Sequence, residues 1–214
     1  VGYGNAGGGG WFYFKTLRDD QVSYHDNLWS YTNVGSSSGN WSSPLTEIRR
    51  ANYIIQGLKS STLSETVKAS YEGIARLNRA WQYYQFVREY GDVPWVGHVV
   101  STDDNDVLYG PRVDRDIVMD SVLNDLNFAA KYIQGSNKQR FTADMALAMK
   151  ADVTLFEGTY CKYRTADENA GKGPDVARAQ KYLNECVAAC EALMKKGYKL
   201  NDSYQGIYLS LIHI

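Results

Sequence analysis

The stretch that most constrains this chain is residues 72–94, EGIARLNRAWQYYQFVREYGDVP, where a long amphipathic helix meets an abrupt stop. Apolar residues recur at steps of three and four, which places them on one helical face. That face consists of Val67, Tyr71, Ile74, Leu77, Trp81, Tyr84 and Val87. Gly91 tolerates a left-handed cap, and Pro94 favours an extended Val93. We therefore predict a long helix with a buried face, a sharp exit and an extended segment.

Periodicity and capping residues predict four further helices. Ser43 is expected to cap the first, with Pro44 at its first helical position, and Asp114 and Thr142 are expected to cap two others. The predicted helices span residues 43–58, 64–90, 114–133, 142–160 and 175–196. The first two pair as one hairpin, the next two as another, and residues 92–111 between them are expected to be extended and loop-like. The predicted fold class is mainly α, with tetratricopeptide-like helical hairpins and long irregular loops.

Residues 1–41 show little periodicity but many aromatic rings, including three of the five tryptophans of the chain. Sugar rings present C–H faces that lie against indole or phenol planes, and polar neighbours hydrogen-bond their hydroxyl groups. We predict ligand binding by Arg18, Asp20, Trp29, Tyr31, Asn33 and Trp41. The alternative for each ring is packing of this arm onto the helices, because large aromatic side chains are usually mostly buried.

A second group of apolar side chains is expected in the core. Trp81 and Tyr84 lie on the apolar face of the long helix, whereas Trp95, just after the turn, is compatible with either packing or binding. Cys186 and Cys190 lie four residues apart on one face of the last helix and are expected to be small core residues. A zinc site would need more ligands nearby, so none is predicted there.

No arrangement of residues in the sequence predicts an enzyme, a metal site or a cofactor. The histidines are scattered, and the HExxH, GxSxG and GxxxxGK[ST] motifs are absent. Residues 103–106, DDND, suggest calcium but lack the glycine and the final glutamate of an EF-hand loop, so a solvated acidic loop is expected. The net charge of −1, without a basic run, argues against a nucleic-acid partner.

Several blocks, in order along the chain, resemble the SusD/RagB family of outer-membrane glycan-binding lipoproteins. The central block is Arg79-Ala80, followed by two tyrosines and then by YGDVP at residues 90–94. The other blocks lie at residues 48–55, 112–129, 140–156, 181–182 and 197–200. The resemblance runs from about Trp41 to Tyr208.

This resemblance implies a helical scaffold that captures oligosaccharide at the cell surface without catalysis. It implies a SusC-like TonB-dependent β-barrel transporter as partner, over which the protein closes like a lid. It also implies an outer-membrane position, with a lipid anchor upstream of Val1. Residues that recur in the matching blocks are interpreted as structural: Arg79, Tyr90, Gly91, Asp92, Pro94, Arg112, Asp125 and Arg140. Arg79 is expected to cap carbonyls or pair with a carboxylate between helices, and Asp92 to hold its turn through its own backbone.

Members of this family are longer, so we interpret the chain as part of a single SusD-like domain at residues 1–208. Within it, residues 1–41 form the aromatic arm and residues 42–200 the helical hairpins. Residues 209–214, LSLIHI, resemble a translated sequencing adapter and are excluded as a scar.

Two other functions remain open from the sequence. One is a helical-repeat adaptor that binds protein or peptide, which burial of Trp29 and Trp41 under the helices would favour. Exposed faces of these rings along a shallow groove would favour sugar instead. The other is a helical glycosidase, which would need two carboxylates across one cleft.

Overall fold

The structure is a computed structural model and describes residues 39–136, 140–166, 171–199 and 203. The helices within these ranges are α1 (Gly39–Lys59), α2 (Glu65–Tyr90), α3 (Asn105–Leu108), α4 (Arg115–Tyr132), α5 (Ala143–Tyr163) and α6 (Val176–Met194). Helix α2 packs against α1 and α4, and α5 packs against α4 and α6. The predicted mainly α, tetratricopeptide-like fold class is confirmed. No helix in these ranges is long and apolar enough to span a bilayer.

Helix α1 begins earlier than predicted, which corrects the expected cap at Ser43. Its first residue is Gly39, and Pro44 lies inside it. A proline this close to the N-terminus removes a single helical hydrogen bond. Trp41 packs edge-on against two rings near the end of α2, at centroid distances of 4.8 and 5.0 Å. Tertiary packing therefore keeps the first turn helical where local capping chemistry predicts a later start.

Helix α2 ends where the sequence predicts. Gly91 has a positive φ of 71°, and its N–H donates to the carbonyl of Val87. Val93 and Val113 then exchange both backbone hydrogen bonds, at 3.0 and 3.2 Å, in an isolated antiparallel bridge. This bridge joins the two ends of residues 94–112, which we call the exit loop. The loop includes the single turn α3, which the sequence did not predict.

The carboxylate of Asp92 fixes the exit of α2 in a way that differs from the prediction. Its Oδ1 accepts a hydrogen bond from the backbone N–H of Arg115 at 2.9 Å, rather than from its own turn. The first N–H groups of a helix lack intrahelical partners, and a carboxylate there also interacts favourably with the helix dipole.

The predicted caps Asp114 and Thr142 are confirmed, since their side chains accept from backbone N–H groups in the first turns of α4 and α5.

The buried face of α2 agrees only in part with the prediction: Leu77, Tyr84 and Val87 are buried as expected. Val67, Tyr71 and Trp81 are 37%, 51% and 38% exposed, so the assignment of Trp81 to the core is wrong. Because α2 contacts α1 on one side and α4 on another, its buried surface is wider than one apolar stripe and rotated from it. The buried hydrophobic residues of its second half are Leu77, Ala80, Tyr83, Tyr84, Phe86 and Val87.

The cysteines of α6 also lie differently from the prediction. Cys186 is half-buried and Cys190 is exposed, so the expectation that both are core residues is wrong. The buried stripe of α6 runs through Ala179, Tyr182 and Ala189 instead. Both cysteines therefore lie beside the contact with α5 rather than in its centre.

The predicted domain limits stay predictions. Residues 1–38 and 204–214 lie outside the described ranges. The helical hairpins predicted at 42–200 correspond to α1, α2, α4, α5 and α6.

Candidate functional site: the groove beside Trp41

The exit loop is held against the helices by side chains that bind its backbone. Asn52 Nδ2 donates to the carbonyls of Val96 and His98, each at 2.9 Å. The hydroxyl of Tyr83 accepts a hydrogen bond from the N–H of Val96 at 2.6 Å. Buried backbone groups need such partners, and here α1 and α2 supply them. The loop is therefore positioned by the helical frame.

Arg79 lies beneath this anchoring point and links three helices. Its Nε and Nη2 donate to the two carboxylate oxygens of Asp125 at 2.7 and 2.8 Å, and its Nη1 donates to Asn52 Oδ1 at 2.7 Å. Arg79 is 5% exposed and Asp125 2%. This is the interhelical carboxylate pair that the sequence analysis allowed for Arg79. Because Asn52 is bound on its oxygen side, its amide N–H groups point to the loop carbonyls.

A groove of about 380 Å³ opens between α1 and the exit loop. Much of its wall is apolar and comes from Trp41, Leu45, Val96, Val107 and Leu108. Arg49, His98 and Arg112 add basic side chains. An apolar wall with a few polar groups is typical of small-ligand sites.

Trp41 is the one predicted ligand residue within the described ranges. Its ring meets Phe86 and Tyr90 edge-on, with interplanar angles of 72° and 87°. These contacts fix the plane of the indole. The side chain is only half-buried, and it also contributes to the wall of the groove. Packing and binding, which the sequence presented as alternatives, are thus compatible for Trp41.

The other predicted ligand residues, Arg18, Asp20, Trp29, Tyr31 and Asn33, lie outside the described ranges, so their roles stay predictions. Trp95, which the sequence left open, packs on Tyr83 with ring centroids 4.4 Å apart. The guanidinium of Arg79 lies 5.4 Å from the Trp95 ring. Trp95 is therefore part of the packing beneath the loop.

Two arginines to which the sequence analysis gave structural roles, Arg112 and Arg140, are exposed. Arg112 lines the groove, and Arg140 lines separate cavities of about 490 and 620 Å³. In the part of the chain that the structure describes, neither guanidinium forms a salt bridge. Their structural roles therefore stay predictions.

Tyr109 is a candidate ligand residue that sequence reasoning missed. It is 84% exposed and lies between Leu108 and Gly110, both of which line the groove. Its position between an acidic stretch and a Gly-Pro pair was the available signal, since such a context predicts exposure. A Cβ on Gly110 would collide with the carbonyl oxygen of Asp106, so this edge of the groove requires glycine.

The described ranges contain one cluster of three side chains with metal-ligand chemistry, Asp116, Glu157 and Cys161. Arginines already occupy its carboxylates: Arg115 binds Glu157 at 2.6 Å, and Arg164 binds Asp116 at 2.8 Å. Burial raises the pKa of Cys161 to about 12, which keeps its thiol protonated. Metal binding requires a thiolate and free carboxylates, so this cluster does not suit a metal ion.

Comparison with known proteins gives one consistent result. A profile of SusD-like proteins, described as starch-binding associating with outer membrane, matches residues 13–155. A SusD-like protein of Bacteroides ovatus is 28% identical over 175 residues, which cover 80% of this chain and 30% of that protein. The crystal structure of a SusD-like protein from Bacteroides fragilis is 25% identical with a TM-score of 0.60, over 76% of this chain and 28% of its own.

A further crystal structure, with xylogluco-oligosaccharide, is 25% identical with a TM-score of 0.55, over 78% of this chain and 31% of that one. The chain therefore spans less than a third of the length of these relatives.

Proposed function

This chain belongs to the SusD-like family, and from that premise we propose that it captures an oligosaccharide at the cell surface without altering it chemically. The observation that carries the proposal is the groove in which Trp41, fixed by two neighbouring rings, faces a loop anchored to the helices. A relative at 25% identity was crystallised with xylogluco-oligosaccharide, which supports this class of ligand.

The chemistry of the groove suits a sugar. The C–H face of a pyranose gains contact with the indole of Trp41, while guanidinium and imidazole groups donate hydrogen bonds to hydroxyl groups. Because the Trp41 plane and the loop backbone are already held in place, little conformational entropy is lost on binding. Ligand binding by Arg18, Asp20, Trp29, Tyr31 and Asn33 is proposed separately, from the sequence alone.

A non-catalytic role is supported by the residues that line the groove. Glycoside hydrolysis uses two carboxylates on opposite sides of the scissile bond. The lining residues within the described ranges include no aspartate and no glutamate. Capture without cleavage is therefore the favoured chemistry at this site.

We further propose a SusC-like TonB-dependent transporter as the partner, with the protein lipid-anchored at the outer-membrane surface. The support for the location is the family description, which places its members at the outer membrane. Co-purification of the protein with such a transporter from outer membranes tests this partner, and its recovery in the absence of any barrel would contradict the proposal.

The binding site is tested by calorimetric titration of the protein with a panel of oligosaccharides. Trp41→Ala is expected to lose binding, since it removes the aromatic wall of the groove. Trp81→Ala is the matched control: it also removes a partly exposed indole from a helix, but at a separate cavity. Thermal unfolding of both variants shows whether the fold survives.

Tyr109→Ala gives a cleaner variant, because this ring is 84% exposed and its loss costs little packing. We expect weaker binding with an unchanged melting temperature. Full binding in both Trp41→Ala and Tyr109→Ala would overturn the proposed site. The absence of binding to every oligosaccharide would overturn the function itself.

A further inference from the structure

We propose that the groove beside Trp41 selects oligosaccharides that carry an anionic group, a carboxylate or a sulfate. This inference rests on the proposed function and adds the chemical class of the ligand. Two guanidinium groups, from Arg49 of α1 and Arg112 of the exit loop, line one apolar groove. The described lining of this groove contains no carboxylate, and this arrangement carries the inference.

Arg112 is the less constrained of the two. It is exposed, and within the described ranges it makes no hydrogen bond, ion pair or ring contact. Most arginines of this chain are used otherwise: Arg79 binds Asp125, and Arg115 binds Glu157. An arginine at the wall of a groove whose N–H donors are unpaired can donate hydrogen bonds to a ligand.

Arg49 is held in place but not neutralised. Its Nη2 donates to the hydroxyl of Tyr53 at 3.2 Å, and its guanidinium lies 5.5 Å from the centre of that ring. In the described part of the chain no carboxylate lies within salt-bridge distance of it, whereas the adjacent Arg50 pairs with Glu47 at 2.5 Å. Among the described residues, the charge of Arg49 is therefore uncompensated.

One acidic side chain of the exit loop, Asp104, is engaged by the lining residue His98. Asp104 accepts from Nε2 of His98 at 2.8 Å and from the backbone N–H of Ser101 at 3.4 Å. Within the described ranges it therefore pairs with His98 and with neither guanidinium group. A carboxylate or sulfate suits such a pair, since a planar guanidinium binds oxyanions through two parallel hydrogen bonds. The apolar wall excludes water from one side and strengthens the attraction.

The test compares ligands that differ only in charge. Oligogalacturonate is titrated against its methyl ester, and sulfated dextran oligosaccharide against plain dextran oligosaccharide. Xylogluco-oligosaccharide is the neutral reference. We expect one anionic member to bind at least about tenfold more tightly than its uncharged counterpart, because a charge-assisted hydrogen bond is lost in the latter. The carboxylate and sulfate arms distinguish the two sources of charge.

Four variants locate the effect. Arg49→Gln and Arg112→Gln are each expected to weaken anionic binding by about tenfold, and added salt to weaken the wild type more than either variant. Arg50→Gln is the matched control, since it removes the same charge one residue along α1 without lining the groove. Arg112→Lys separates geometry from charge, because lysine keeps the charge but loses the planar fork.

The possible outcomes separate this inference from the proposed function. Loss of anionic binding in the two glutamine variants, with Arg50→Gln unaffected, supports it. If the neutral oligosaccharides bind as tightly as the anionic ones or more tightly, anion selection is overturned. If Trp41→Ala also loses binding to these neutral oligosaccharides, the proposed sugar capture is retained. Unchanged anionic binding in both glutamine variants also overturns it. No binding to any oligosaccharide overturns both.

Discussion

Asp125 shows how single residues set the position of the site. Its carboxylate accepts from Arg79 at 2.7 and 2.8 Å and from Arg76 at 3.2 Å. Arg79 in turn binds Asn52, which binds the backbone of the exit loop at Val96. A buried charge of α4 is thereby connected to the wall of the groove, so a substitution at Asp125 acts on both stability and binding.

We expect Asp125→Ala to lower the free energy of unfolding by about 3–5 kcal/mol, because it leaves the buried guanidinium of Arg79 without its counter-ion. Glu47→Ala removes a pair in which Arg50 is 68% exposed, and we expect a loss below about 1 kcal/mol. Urea denaturation measures both. If the first variant does not fold, Asp125→Asn, which keeps the shape, takes its place. Equal losses for the two positions would contradict the role given to Asp125.

Among the elements, α5 and α6 are in close contact at Gly158. A Cβ there would lie 2.8 Å from Leu183 Cγ and 3.2 Å from the carbonyl oxygen of Ala179. The first atom is the branch point of a side chain and the second is backbone, so neither moves easily. The contact between these helices therefore depends on the missing side chain.

Gly158→Ala is expected to destabilise the protein by up to about 2 kcal/mol, because overpacking costs more than the helix gains from alanine. Gly57→Ala is the matched control within α1, where a Cβ meets nothing within 4 Å. There we expect a gain of about 0.5–1 kcal/mol from the lower entropy of the unfolded chain. Urea denaturation compares them, and a gain at both positions would show that the helices are not in close contact at Gly158.

Side-chain hydrogen bonds between α4 and α6 predict a dependence of stability on pH. Burial alone would raise the pKa of Asp120, but hydrogen bonds from Arg178, Tyr182 and Lys181 outweigh it and hold this pKa below its ordinary value of 3.8. A carboxyl group whose pKa is lowered in the folded state stabilises the protein at pH values above the ordinary pKa of that group. That stabilisation is lost as the pH falls through the folded value.

We therefore expect the free energy of unfolding to fall between about pH 5 and pH 3, and to fall less steeply in Asp120→Asn. Asp106→Asn, an exposed substitution in the exit loop, is the control and is expected to keep the wild-type slope. Urea denaturation across this pH range measures the slopes. Identical slopes for the wild type and Asp120→Asn would show that Asp120 does not carry the effect.

The same elements show what the sequence can predict. Gly91, Asp114 and Thr142 mark helix ends correctly because caps and breaks depend on neighbours within a few residues. The start of α1 and the exposure of Trp81 were predicted wrongly because both depend on which helices pack against them. Local chemistry therefore predicts the number and order of the long helices, while their buried faces require the fold.

At the scale of the whole molecule, single residues of the site can be predicted from the sequence, but their arrangement requires the fold. The sequence singled out Trp41 and the turn at Pro94 separately, and the fold brings them to one groove together with Arg112. It did not indicate Tyr109 as a ligand residue, because exposure of a single ring in a loop leaves no periodic pattern. Stacked helices thus act as a frame, and the exit loop that they anchor carries the groove.

The most direct test of sugar binding in the groove beside Trp41 is a crystal structure of the protein with a bound oligosaccharide. We predict a sugar ring in the groove, with its carbon atoms within about 4 Å of Trp41 or Tyr109. An ordered oligosaccharide bound elsewhere on the protein, with the groove beside Trp41 empty, would contradict the site and the function assigned to it.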